Sequence, residues 1–152
     1  RKWEKRYDIS CIRHGVRLRC DKNIDPEVRR ACIEFCKWLR SKYEFPMRVP
    51  IYLKDSVAIK AMDGEMVSAT FLGHMINIKN IYKGCSRRLS KAFKKRKKDD
   101  VLASYICSIA HELTHYFQWI NGLELTLIGE ERQAGRYASL ILNEYAKTRE
   151  HP

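Results

Sequence analysis

Two imidazoles four residues apart with a carboxylate between them can hold a metal ion and work on a water beside it. The segment His111-Glu112-Leu113-Thr114-His115 has that H-E-x-x-H arrangement. Residues four apart on an α-helix share a face, so both rings can reach one ion. Glu112 projects beside them, where its carboxylate can take a proton from a metal-activated water. A catalytic zinc needs a third protein ligand and keeps its fourth position open. Glu131 is the leading candidate, because it extends the inward stripe Ala134, Tyr137, Ala138, Ile141, Leu142 and Tyr145 of the next helix. A carboxylate on a core-facing stripe needs a partner to stay charged. Glu130, about 100° away round that helix, is the alternative ligand. The plainer alternative for Glu131 is a helix N-terminal carboxylate favoured by the dipole.

The elements that must position these groups follow from periodicity. Val101, Leu102, Tyr105, Ile109, Leu113, Phe117 and Ile120 form an apolar helical stripe, which predicts that this helix packs its back into a core. His111 and His115 fall off the stripe, on a face shared with Ser104, Cys107, Ser108 and Gln118. Asp99-Asp100 is expected to cap this helix and Asn121-Gly122 to stop it. A loop over 123–129 then leads to a last helix from about Glu130 to Lys147. Upstream, Asp25-Pro26 predicts an N-cap and first helical residue, with the helix running to about Ser41. Residues 7–19 alternate loosely and predict one or two short strands, and 50–53 a further strand. Asp63-Gly64 is a turn signal, and Val67–Leu72 with Met75–Ile78 predict a hairpin across Gly73-His74. This order of helix, strands, helix and helix predicts one α+β domain over 1–152, a small antiparallel or mixed sheet packed with the two metal-bearing helices.

At these residues the chain resembles the gluzincin metallopeptidases, in particular the minimal bacterial and phage kind related to the ImmA/IrrE proteins. His111-Glu112-Leu113-Thr114-His115 carries the resemblance, together with Glu131-Arg132-Gln133-Ala134-Gly135-Arg136-Tyr137-Ala138, which follows the family's Glu, two residues, Ala, two residues, aromatic, Ala. It covers about residues 100–145. It implies a zincin-like fold and a zinc peptidase with His111, His115 and Glu131 as ligands, Glu112 as general base and a protein or peptide substrate. It also implies an edge strand above the cleft for an extended peptide, for which 67–78 is the natural candidate, bringing His74 near. Tyr137, and after it Tyr116, are candidate donors to a tetrahedral oxyanion, although both positions equally suit a core tyrosine. One departure stands out: many gluzincins carry an acidic residue or Asn four places after the third ligand, where this chain has Gly135. Either the support of a ligand histidine comes from elsewhere, or the site is tuned differently. A DNA-associated metalloprotease of the SprT-like kind fits less well, because its third His has no counterpart here before His151.

The rest of the composition narrows the setting. Apolar residues make up 45% and charged residues 32% of the 152, a folded globular balance. No stretch reaches the roughly 18 consecutive apolar residues of a membrane span, so no membrane partner is expected. Arg1-Lys2-Trp3 leads into no apolar signal region; the expected location is cytoplasmic, and the missing initiator Met suggests a processed or trimmed chain. Cys11, Cys20, Cys32, Cys36, Cys85 and Cys107 are expected as free or buried thiols, with a second metal site at Cys11, Cys20, Cys32 and Cys36 as the alternative. The formal net charge is +12, and residues 83–98 hold nine Lys or Arg and no acid. Lys94, Lys95, Arg96, Lys97 and Lys98 are therefore candidates for contacting nucleic acid or another polyanion, with a solvated helix face as the plain alternative. The sequence predicts a zinc-dependent peptidase, and as its rival a non-catalytic zinc module that binds polyanions through 83–98.

Overall fold

The computed structural model describes residues 15–72, 75–79, 81 and 91–152, with backbone alone for residues 72 and 91–97. Its elements are β1 (Val16–Cys20), α1 (Pro26–Lys42), β2 (Val49–Leu53), β3 (Ile59–Lys60), β4 (Met66–Val67), β5 (Ala69–Leu72), β6 (Met75–Ile78), α2 (Lys91–Ile120) and α3 (Leu127–Ala146). The class is α+β, with a small mixed sheet and a short antiparallel one. The larger sheet has the order β1-β2-β6-β5. β1, β2 and β6 run parallel, and β5 turns back antiparallel to β6 with Ala69 opposite Ile78. β5 is thus an edge strand of this sheet. The predicted hairpin is present, while its turn, His74 included, lies outside the described residues, as do 7–14 of the expected first strands.

Alternation decides which face of the sheet is covered. Val49, Ile51 and Leu53 of β2 and Ile76 and Ile78 of β6 are fully buried. Helix α1 presents Val28, Ala31, Cys32, Phe35, Cys36 and Leu39 to the same core. It starts where Asp25-Pro26 predicts, with the Asp25 side chain accepting from the Glu27 amide at 2.7 Å. α2 contributes Tyr105, Ile106, Ile109, Leu113 and Tyr116 to the core, and α3 packs chiefly on α2. The edge-to-face contacts of Tyr145 with Phe35 and Trp38 tie α3 to α1.

Three expectations are corrected. Asp99-Asp100 does not cap α2, which begins at Lys91. Between Lys91 and Asp99 the chain holds Lys, Arg, Ala and one Phe, with no Gly or Pro, so helix propensity carries the first turns past the capping signal. α3 starts three residues early, at Leu127, because Thr126 is its N-cap and accepts from the Gly129 amide at 3.0 Å. Tyr137 is not on the buried stripe. Ala134, Ala138, Ile141 and Tyr145 make that stripe, and Tyr137, about 100° round from Ala138, is 47% exposed.

The reversal between α2 and α3 follows the sequence signal. Gly122 adopts φ +61°. Its amide donates to the Trp119 carbonyl at 3.1 Å and the Leu123 amide to that of Gln118 at 3.0 Å. This paired closure is the usual way a helix ends on a left-handed glycine.

Candidate metal centre

The site is built on one helical hairpin. On α2, His111 and His115 stand one turn apart with ring centroids 5.0 Å from each other. α3 returns along α2 and delivers Glu131 between them. One carboxylate oxygen lies 3.1 Å from His111 Nε2, and the other 3.0 Å from His115 Nε2. Among the described residues these three form the one His, Cys, Asp or Glu group compact enough for an ion. Glu131 thus brings the carboxylate that Glu130 does not. Glu130 contributes its main-chain carbonyl, which accepts from Gln118 Nε2 at 3.0 Å.

That last contact fixes the proton on His115. A main-chain carbonyl only accepts, so the Gln118 atom facing it is the amide nitrogen. The same nitrogen lies 2.9 Å from Gln133 Oε1. Gln118 Oε1 is therefore left to face His115 Nδ1 at 2.8 Å, and Nδ1 must carry the hydrogen. On a neutral ring, Nε2 then offers a lone pair to a Glu131 oxygen that offers another. Two lone pairs 3.0 Å apart repel unless a proton or a cation lies between them. The donor set of two imidazole nitrogens and a carboxylate is that of an open zinc site. Tetrahedral bonds of about 2.0–2.1 Å put neighbouring donors about 3.3 Å apart; here each histidine Nε2 lies 3.0–3.1 Å from a different Glu131 oxygen, and one donor atom from each of the three residues falls within 4.8 Å of the others. The residues fit zinc.

Glu112 lies beside this group, 8% exposed. Burial pushes its carboxyl up to about 7; the neighbouring His115 works against that rise and the Glu131 carboxylate adds to it. A carboxyl with a pKa near neutrality is suited to taking and giving protons. Glu112 opens onto a cleft of about 1220 Å³ whose floor is the polar face of α2, with Ser104, Cys107, Ser108 and Gln118 beside the histidines. The facing wall comes from β4 and β5, including Val67, Ala69 and Phe71, and from Met62 and Asp63 of the β3–β4 turn. Among the described residues, no Lys or Arg lines the cleft. No protein-family model matches the chain, and neither a curated protein nor a solved structure matches it.

The remaining expected residues fall elsewhere. Tyr137 does not line the cleft. Tyr116 is fully buried, and its hydroxyl donates to the Met47 carbonyl at 2.7 Å and accepts from the Met47 amide at 3.0 Å. It is a core anchor. Gly135 is exposed, and a Cβ there would meet nothing within 4 Å, so this position brings no contact to the histidines. The side chain that hydrogen-bonds His115 is Gln118 instead. Its polarity on a helix face otherwise shared with His115 was the available signal; its partners on α3 were not readable from spacing.

Cys20, Cys32, Cys36 and Cys107 are free thiols. Burial pushes Cys32 well up and Cys36 to about 12, which leaves them protonated and poor ligands. Cys11 and Cys85 lie outside the described residues. So does most of the basic segment: Lys94, Lys95, Arg96 and Lys97 are described as backbone in the first two turns of α2, and the Lys98 side chain is exposed. No helix of the described chain is long and apolar enough to cross a membrane.

Proposed function

We propose that this chain is a zinc-dependent peptidase of the minimal gluzincin kind, with a zincin-like arrangement of edge strand, H-E-x-x-H helix and Glu-bearing helix. The observation that carries the reading is the convergence of His111, His115 and Glu131 within ligand reach of one another beside the buried Glu112. Zinc held there would supply an acidified water and a Lewis acid for a carbonyl oxygen. The chain's own residues do the rest. Glu112 accepts a proton in the cleft and returns it to a leaving amine, for which its raised pKa suits it. β5, at the edge of the sheet among the described residues, offers that edge to an extended peptide, and Phe71 and Trp119 give that peptide apolar contacts. Among the described residues the cleft is lined without Lys or Arg, in a chain of net charge +12, which suits a peptide better than a phosphate backbone. Tyr137, exposed on the far flank of α3, takes no part.

The test is metal content together with peptidase activity on a mixed peptide library. Wild type should bind one zinc per chain and cleave. Glu112→Gln should keep the metal and lose roughly 10²–10⁴-fold in rate, and Glu131→Ala should lose both. A wild-type protein that takes up no zinc, or a Glu112→Gln protein with full activity, would overturn the reading. A second reading keeps the metal without the chemistry and gives the work to polyanion binding through 83–98, which the nine Lys or Arg residues favour. It predicts zinc uptake with no cleavage and a nucleic-acid affinity that falls steeply with salt.

A further inference from the structure

We propose that Gln118 is the positioning residue of the metal centre: it holds His115 as the Nδ1–H tautomer, aims Nε2 at Glu131, and locks α2 to the first turns of α3. The inference rests on the zinc reading for its purpose and on the hydrogen-bond geometry for its substance. Gln118 is 4% exposed, so its amide cannot turn to water, and all its bonds run inside the protein. Oε1 accepts from His115 Nδ1 at 2.8 Å, while Nε2 donates to the Glu130 carbonyl at 3.0 Å and to Gln133 Oε1 at 2.9 Å.

These bonds have consequences for both halves of the site. On α2 they hold the ring plane of His115 and leave its lone pair on the nitrogen that faces the carboxylate. On α3 they grip the residue directly before Glu131 and the one two places after it. The Glu131 side chain is 64% exposed, so burial does little to place it; the placement comes from the backbone turn that Gln118 holds. The same amide therefore sets the direction of one ligand and the height of another. An outer residue that orients a ligand imidazole is commonly worth roughly 10–100-fold in metal affinity. This one stands three residues after the second histidine, on the same helix, where Gly135 supplies nothing from α3.

The experiment has one readout with metal and one without. In the metal-free protein, above the ordinary histidine range of pH, long-range ¹H–¹⁵N correlation spectra report which nitrogen of His115 bears the hydrogen. Wild type should show Nδ1–H. Gln118→Leu should shift the population toward Nε2–H, and Gln118→Glu should hold Nδ1–H, because a carboxylate accepts the same bond. In Zn²⁺ titrations competed with a chromophoric chelator, Gln118→Leu should bind roughly 10–100-fold more weakly. Gln118→Glu should stay within a few-fold of wild type even if its thermal stability drops. An Nε2–H wild type, or two variants that lose affinity in step with stability, would overturn the proposal. Nδ1–H in wild type, lost in Gln118→Leu, alongside no zinc uptake by any form would sustain the hold on His115 and sink the peptidase reading instead.

Discussion

Glu112 is a carboxyl group largely withdrawn from water beside another carboxylate, and its protonation is coupled to folding. A glutamate in the unfolded chain titrates near about 4.3, and in the folded, metal-free chain burial raises Glu112 to about 7. Between those values the native state keeps a proton that the unfolded state has released. Stability contributed by this group is therefore complete below the lower value and is lost as pH rises through the upper one. We predict that the metal-free protein loses several degrees of Tm between pH 5 and pH 8, at roughly 2–4 °C per kcal/mol for a chain of this size. Glu112→Gln should flatten that dependence and melt higher than wild type at pH 8; equal slopes in thermal scans of the two proteins would refute it. At this scale the sequence was most legible where chemistry demands a fixed spacing, at His111, Glu112 and His115. Glu131 comes to the histidines as its helical phase suggests, but with its side chain 64% exposed and not on a buried face. Tyr137 was misplaced because a neighbouring position on a helix is about 100° away, and a stripe four residues wide at most excluded it from the core.

Elements were legible where punctuation was local and obscured where propensity overrode it. Asp25-Pro26 and Asn121-Gly122 behave as their chemistry requires. Asp99-Asp100 was overruled by good helix formers upstream, and the parallel pairing of β1, β2 and β6 depends on contacts distant in sequence, which periodicity does not encode. The α2–α3 reversal can be tested directly. Gly122 sits at φ +61° with open space where a Cβ would go, so the cost of Gly122→Ala is conformational alone. It should be about 1–2 kcal/mol, read as a lower denaturant midpoint. Thr126→Ala removes the N-cap that sets where α3 begins and should cost about 1 kcal/mol. Because both changes loosen the delivery of Glu131, both should also weaken zinc binding; undiminished affinity in isothermal titrations would show that the reversal does not set the site.

For the whole molecule, the charged end and the chemical end of α2 are well separated. From Lys98 to His111 is 13 residues along one helix, about 20 Å at 1.5 Å per residue. That exceeds the Debye length of about 8 Å at physiological salt. A polyanion held by Lys94, Lys95, Arg96, Lys97 and Lys98 would leave the cleft open. Replacing those five with Gln should abolish any salt-dependent DNA affinity and leave kcat/KM on a short peptide within about twofold of wild type. A parallel loss of both would mean that the basic turns take part in the cleft.

His111, His115 and Glu131 fall within a single helix-turn-helix of the chain, whereas the opposite wall of the cleft is assembled from β4 and β5, far upstream. On the reading proposed above, zinc would sit on the helical hairpin while a peptide would lie mainly along β5. Zinc should slow hydrogen exchange of the amides flanking His111 through Gln133 while leaving the Ile59–Val67 ribbon exchanging as before. A bound peptide should do the reverse at β5, so loading the metal and loading the substrate would leave two separate footprints on one small domain.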